Sequence, residues 1–189
     1  MLILQIALAL GLSRSAVAIW KRRPDARHLP LRWILALEKA CRYAREPSVA
    51  TALITSAWKE HQGDSLVALS YYYHLRSLGR PLEQVVAVLA RALAFPMAPN
   101  LELQVLAHYA VTLVDLNRLP EARRVIDQGS HLAALQRHWY LMALLQACRV
   151  VTAYRLGDPT WKWERAALDH MRLHWYMRHI VETHTPADP

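Results

Sequence analysis

Apolar positions recur along this chain at intervals of three and four. Leu103, Leu106, Ala110 and Leu113 form one stripe, and Val85, Leu89 and Leu93 another. That spacing puts side chains on one face of an α-helix, where they bury together. Nothing alternates with period two over a strand's length, so no sheet is expected. Glycine and proline punctuate the periodic segments. Gly11, Gly63, Gly79, Gly129 and Gly157 read as helix stops, and most prolines, such as Pro30, Pro47, Pro81, Pro99 and Pro120, as starts or breaks. Between them the pattern predicts helices near 2–10, 13–22, 31–45, 48–61, 65–78, 82–95, 101–117, 120–129, 132–156 and 161–182. The expected fold class is all-α, built from antiparallel helical hairpins.

Composition narrows the class. The 189 residues are 54% hydrophobic and 20% charged, enough apolar material for a buried core and too much for a disordered chain. Two cysteines, Cys41 and Cys148, sit inside helical patterns. They make no disulfide scaffold and suit a reducing compartment. Residues 1–12 are apolar, but no basic segment precedes them and no clean cleavage site follows, so a secretory signal is not expected. No uncharged apolar stretch reaches 18 residues, and the candidate span Trp139 to Cys148 is ten residues between Arg137 and Arg149, too short to span a bilayer. A cytoplasmic protein with no membrane partner is expected.

Charge changes the picture once it is located. The chain carries a net +8. Residues 1–46 hold nine basic groups (Arg14, Lys21, Arg22, Arg23, Arg27, Arg32, Lys39, Arg42 and Arg45) and three acidic ones (Asp25, Glu38 and Glu46), a net +6. Residues 47–189 are close to neutral, at +2. Such concentration fits a nucleic-acid-binding end on a neutral body, and it also fits a solvated basic helical face. Two domains are expected, 1–46 and 47–189.

The basic end carries a motif. Ala7 is a small residue where a second helix could cross closely. Gly11, four residues on, accepts a positive φ, and Val17, six further, can pack back into the angle. Ser13 is placed to cap the second helix. With the stretch Gly-Leu-Ser-Arg-Ser-Ala-Val-Ala-Ile-Trp at 11–20, this resembles the helix-turn-helix of the Cro/repressor (XRE-like) family of phage and bacterial regulators. The resemblance covers about residues 2–45. It implies that the second helix enters the major groove of double-stranded DNA, with Ser13, Arg14, Ser15 and Ala18 on base edges. Lys21, Arg22, Arg23 and Arg27 would neutralise phosphates. Ala7, Gly11, Val17 and Trp20 would pack the motif, and residues 31–45 would form the following helix. The chain opens on the motif's first helix, so the resemblance implies a domain without the helix that precedes it in that family.

The body repeats itself loosely. Leu78-Gly79-Arg80, Leu116-Asn117-Arg118 and Leu156-Gly157-Asp158 recur at offsets of 38 and 40 residues. This resembles tetratricopeptide-type repeats, whose helical pairs bury a face only by stacking; a plain α-bundle fits the same turns. Tyr72, Tyr73, Trp161 and Trp163 are candidates for holding a protein or peptide partner, although aromatics at helical spacing also serve as core. The last helix is a candidate dimer element, and a homodimer would suit a two-half-site operator.

Catalytic chemistry is not expected. Five scattered glycines form no phosphate loop, and no nucleophile–base pair is suggested by spacing. His170 and His174 stand four apart, but no cysteine cluster or His-Glu-x-x-His pattern accompanies them, so no metal or cofactor is expected. The leading expectation is a non-enzymatic, sequence-specific DNA-binding regulator whose body dimerises or receives a signal. The alternative is a tetratricopeptide-like interaction adaptor whose N-terminal motif is only structural.

Overall fold

The computed structural model describes residues 2–22, 29–171 and 175–185, and within them the fold is all-α, with no strand. Its helices are α1 (Leu2–Ala9), α2 (Ser13–Arg22), α3 (Leu31–Tyr43), α4 (Pro47–Glu60), α5 (Ser65–Ser77), α6 (Leu82–Leu93), α7 (Pro99–Asp115), α8 (Leu119–Leu135), α9 (Trp139–Arg155), α10 (Trp161–Asp169) and α11 (Trp175–His184). The chain forms two compact units, Met1–Arg80 and Pro81–Pro189. The division of charge at residue 46 falls inside the first unit, in the turn between α3 and α4.

One turn recurs. After α1 the N–H of Leu12 donates to the Ala7 carbonyl and that of Gly11 to the Leu8 carbonyl, at 2.9 and 3.1 Å. This paired pattern, closed by a left-handed residue, satisfies carbonyls the helix end would orphan. It returns at Arg45, Gly79, Asn117, Arg137 and Gly157, each with a positive φ. In the second unit the left-handed residues stand at 117, 137 and 157, twenty apart. A helix plus its turn is therefore the repeating element there, and the 40-residue offset between 117 and 157 is two of them. Arg45 and Arg137 adopt a conformation that a side chain disfavours by about 1 kcal/mol; the break at Arg45 is the one expected beside Pro47, whereas the turn at Arg137 interrupts the expected helix 132–156.

Gly129 corrects the sequence reading in the other direction. It does not end a helix near 129; it lies buried inside α8, which runs on to Leu135. A Cβ there would stand 3.0 Å from Leu145 Cδ1 and 3.5 Å from Leu106 Cβ, so the glycine serves the close approach of α8 to α9 and α7. The expected helix 161–182 is likewise broken. The Met171 N–H donates to the Leu168 carbonyl at 2.9 Å, a three-residue turn that closes α10.

In the first unit, α1 packs on α2 and α3, and α3 packs on α4 and α5. Leu4, Ala7, Ala16, Val17, Leu37, Ala40, Cys41 and Ala50 share one core. Ile54, Ala57 and Val67 form a second patch, beside a stacked Trp58–Tyr71 pair. Burial pushes the Cys41 thiol up to about 11. A polar chain also crosses this core. The Thr51 hydroxyl donates to the Pro47 carbonyl at 2.7 Å and meets His74 Nε2 at 2.9 Å, so it accepts a hydrogen bond from the N–H at that nitrogen. His74 Nδ1 then faces Glu38 Oε1 at 3.4 Å, and Arg42 Nε donates to the same oxygen at 2.6 Å. Burial raises the Glu38 carboxyl from its usual range, against the pull of Arg42, and lowers the His74 ring.

In the second unit α9 is the axis. It packs on α7, α8, α10 and α11 and buries ten of its seventeen residues. Cys148 lies on it, fully buried, its thiol pushed up to about 12 by desolvation. Tyr109 of α7 donates to Glu121 of α8 at 2.7 Å, and Glu121 also pairs with Arg118. No helix among the described residues is long and apolar enough to cross a membrane.

Candidate nucleic-acid interface

The α1–α2 pair is held from inside by small residues. Ala7 and Ala16 are buried where the two helices meet, and Val17 and Leu4 fill the angle. Gly11 turns the chain at φ +69°, and a Cβ there would meet nothing within 4 Å, so conformation alone calls for glycine. The Ala16 N–H donates to the Leu12 carbonyl at 2.9 Å. Leu12 is therefore the N-cap of α2 and Ser13 its first helical residue, which corrects the capping role expected of Ser13. Ile19 and Trp20, half-buried, pack against the same core.

What remains of α2 faces outward. Arg14, Ser15, Ala18, Lys21 and Arg22 are exposed, and Ser13 is half-buried. Arg14 and Ala18 are one helical turn apart, as are Ser15 with Ala18 and Ala18 with Lys21 and Arg22, so these side chains share one side of the helix. Arg23 and Arg27, expected on phosphates, lie outside the described residues. Lys21 is engaged: its Nζ stands 2.6 Å from Glu46 Oε1. That ion pair spans 25 residues and was invisible to spacing arguments.

The α3 helix and the turn after it add cations that the motif does not include. Arg32, Lys39 and Arg45 are exposed. Lys39 lines a cleft of about 390 Å³ with Leu8, Gly11, Ser13, Ala36 and Tyr43, so it opens beside the start of α2. The signal for Lys39 was in the count of nine basic groups, and only its position was missing. The outer face of α1 is different in kind. Leu2, Ile3 and Ile6 on it, and Leu10 and Leu12 in the turn that follows, are all exposed, and residues 2–12 contain no charge.

The candidate partner residues separate. Tyr72 is 5% exposed and belongs to the core of the first unit, which removes it as a docking residue. Tyr73 is exposed and carries the Arg42 guanidinium 5.8 Å over its ring. Trp161 is half-buried against Tyr154, whereas Trp163 is 80% exposed. His170 is exposed and His174 lies outside the described residues, among which no three potential ligands converge on a metal position. No family model matches the chain, and no curated protein or solved structure matches it.

Proposed function

We propose that this protein is a sequence-specific DNA-binding transcriptional regulator. Its α1–α2 pair would act as a helix-turn-helix, and its second unit would dimerise the chain or receive a signal. The observation that carries this reading is a division within ten residues of α2. Ala16 and Val17 seal the helix against α1 and α3, while Arg14, Ser15 and Ala18 stand exposed in series with Lys21 and Arg22. In the major groove Arg14 would donate bidentately to a guanine, and Ala18 would touch a thymine methyl. Lys21, Arg22, Arg23 and Arg27 would fix register on phosphates, with Lys39 able to join them. Two copies on half-sites one helical turn apart would supply the specificity a single short helix lacks. Stacked pairs α7–α8 and α9–α10, with α7 touching α9, support a repeat-like body.

Selection from a random duplex library tests this reading. The expected result is a recurrent half-site, enriched by the wild type and lost in Arg14→Ala. No enrichment over the starting pool overturns it.

The second reading is an interaction adaptor of the first unit, favoured by the uncharged aliphatic face of α1. It predicts duplex binding no stronger than that of any basic surface, indifferent to Arg14→Ala.

A further inference from the structure

The second unit contains a polar cavity that the DNA-binding reading does not use. It has a volume of about 90 Å³ and lies between α8, α9 and the start of α10. Arg123 and Asp127 reach it from α8, Arg149 and Thr152 from α9, and Asp158 and Glu164 from the turn and α10. Ile126, Ala153 and Leu156 supply its apolar wall.

Two polar atoms on α9 are orphaned there. Thr152 is 2% exposed, and its Oγ1 has no hydrogen-bond partner. The Nε of Arg149, one turn earlier, is also buried without one. The orphan hydroxyl is unusual within this molecule. Thr51, Thr112 and Thr185 each donate to the carbonyl four residues back, at 2.7, 2.8 and 2.8 Å. Thr152 forgoes that bond on the wall of a cavity. Buried polar groups are ordinarily bonded, and an exception calls for an explanation such as a ligand or a water.

The charges indicate what would fit. Arg149 pairs with Asp127 at 3.0 Å and Arg123 with Asp158 at 3.4 Å. Glu164 is bonded to the Gln146 amide at 2.5 Å, which leaves the wall with one more carboxylate than guanidinium. A simple anion would enter against that excess. A simple cation would leave the donors Thr152 O–H and Arg149 Nε–H unused. A zwitterion satisfies both, with its carboxylate toward α9 and its ammonium toward Glu164. The volume equals about three waters, which limits the ligand to a few heavy atoms beyond its charged groups.

We propose that this cavity binds a free α-amino acid with a small side chain. The proposal does not rest on DNA binding by the first unit.

Titration calorimetry on the full chain tests it, with glycine, L-alanine and L-serine as ligands and acetate and ethylamine as single-charge controls. At least one amino acid should bind with a dissociation constant of about 1 mM or tighter. Acetate and ethylamine should bind at least about tenfold more weakly, because each meets half of the site. Thr152→Val keeps the volume and removes the hydroxyl, so it should weaken binding about tenfold while the unliganded protein melts no earlier. Ala153→Leu, which fills the cavity from the same helix, is a second variant expected to abolish binding. No heat from any amino acid overturns the proposal and leaves a water-filled cavity. Acetate or ethylamine binding as tightly as alanine overturns the zwitterion, and unchanged binding in both variants overturns the location.

Discussion

The α1–α2 pair and the α8–α9 pair close by the same hydrogen-bond pattern and differ in what their second helix does. At Gly11 and at Arg137 the chain turns through a left-handed residue, whose own N–H and that of the next residue are returned to the preceding helix. Beyond the turn, α2 buries Ala16 and Val17 and leaves its cationic side in solvent, whereas α9 buries most of its circumference. The turn sets the path of the chain. The pattern of small and charged residues after it decides whether the helix presents a face or becomes an axis. In the first case polar groups are outside and available, and in the second a few are trapped inside, as at Thr152.

The sharpest way to break this comparison is through its glycines. Gly129→Leu should destabilise the second unit by about 3 kcal/mol, because the new side chain meets Leu145 and Leu106 across packed helices. Denaturant unfolding of the full chain, followed by probes in each unit, checks this. Gly11→Ala should cost the first unit only about 1 kcal/mol, since its Cβ would meet nothing and only the left-handed backbone resists. Equal losses would mean that the two glycines do the same job. The converse substitution, Arg137→Gly, should raise the stability of the second unit by somewhat under about 1 kcal/mol, read as a higher denaturant midpoint.

The smallest effect expected is one of slope. The His74 ring, lowered by burial from 6.5, contributes stability that is complete above that pH and lost as pH falls through its folded value. Glu38, raised from 4.5, does the opposite: its contribution is present below 4.5 and lost as pH rises through its folded value. His74→Gln should therefore lose less stability than the wild type when pH is lowered from about 7.5 to about 5. Glu38→Gln should lose less when pH is raised from about 4.5 to about 7. Unfolding at a series of pH values measures both, and parallel curves for all three proteins would show that the buried pair does not titrate as described.

Much of this was legible in the sequence because helices announce themselves locally. The three-and-four spacing, Gly11, Gly79 and Gly157 each sit where a short window could read them. Gly129 was misread because scarcity made every glycine look like punctuation. Its real cause is Leu145, sixteen residues away on another helix. Arg137 was missed for the complementary reason: its left-handed turn carries neither glycine nor proline, so it fell inside the expected helix 132–156, whereas Pro47 marked the break beside Arg45. For the candidate interface, Ala7, Gly11, Val17 and the exposed cations could be named from spacing and charge. The Lys21–Glu46 pair, the burial of Tyr72 and the unbonded Thr152 hydroxyl depend on contacts between distant segments, which no local pattern encodes.

The central claim is that the exposed side of α2 reads DNA, and one titration tests it most directly. Wild type and Arg14→Ala are each titrated with the duplex recovered by selection, at about 50 and about 200 mM salt. Wild-type binding is expected to be micromolar or tighter at low salt and to weaken steeply at high salt, by about 0.9 in the logarithmic slope for each phosphate contact. Arg14→Ala should bind about tenfold to a hundredfold more weakly with the salt slope little changed, since a base contact is lost and the phosphate contacts remain. Wild type and variant binding alike at both salts, or no binding by either at low salt, would contradict the claim.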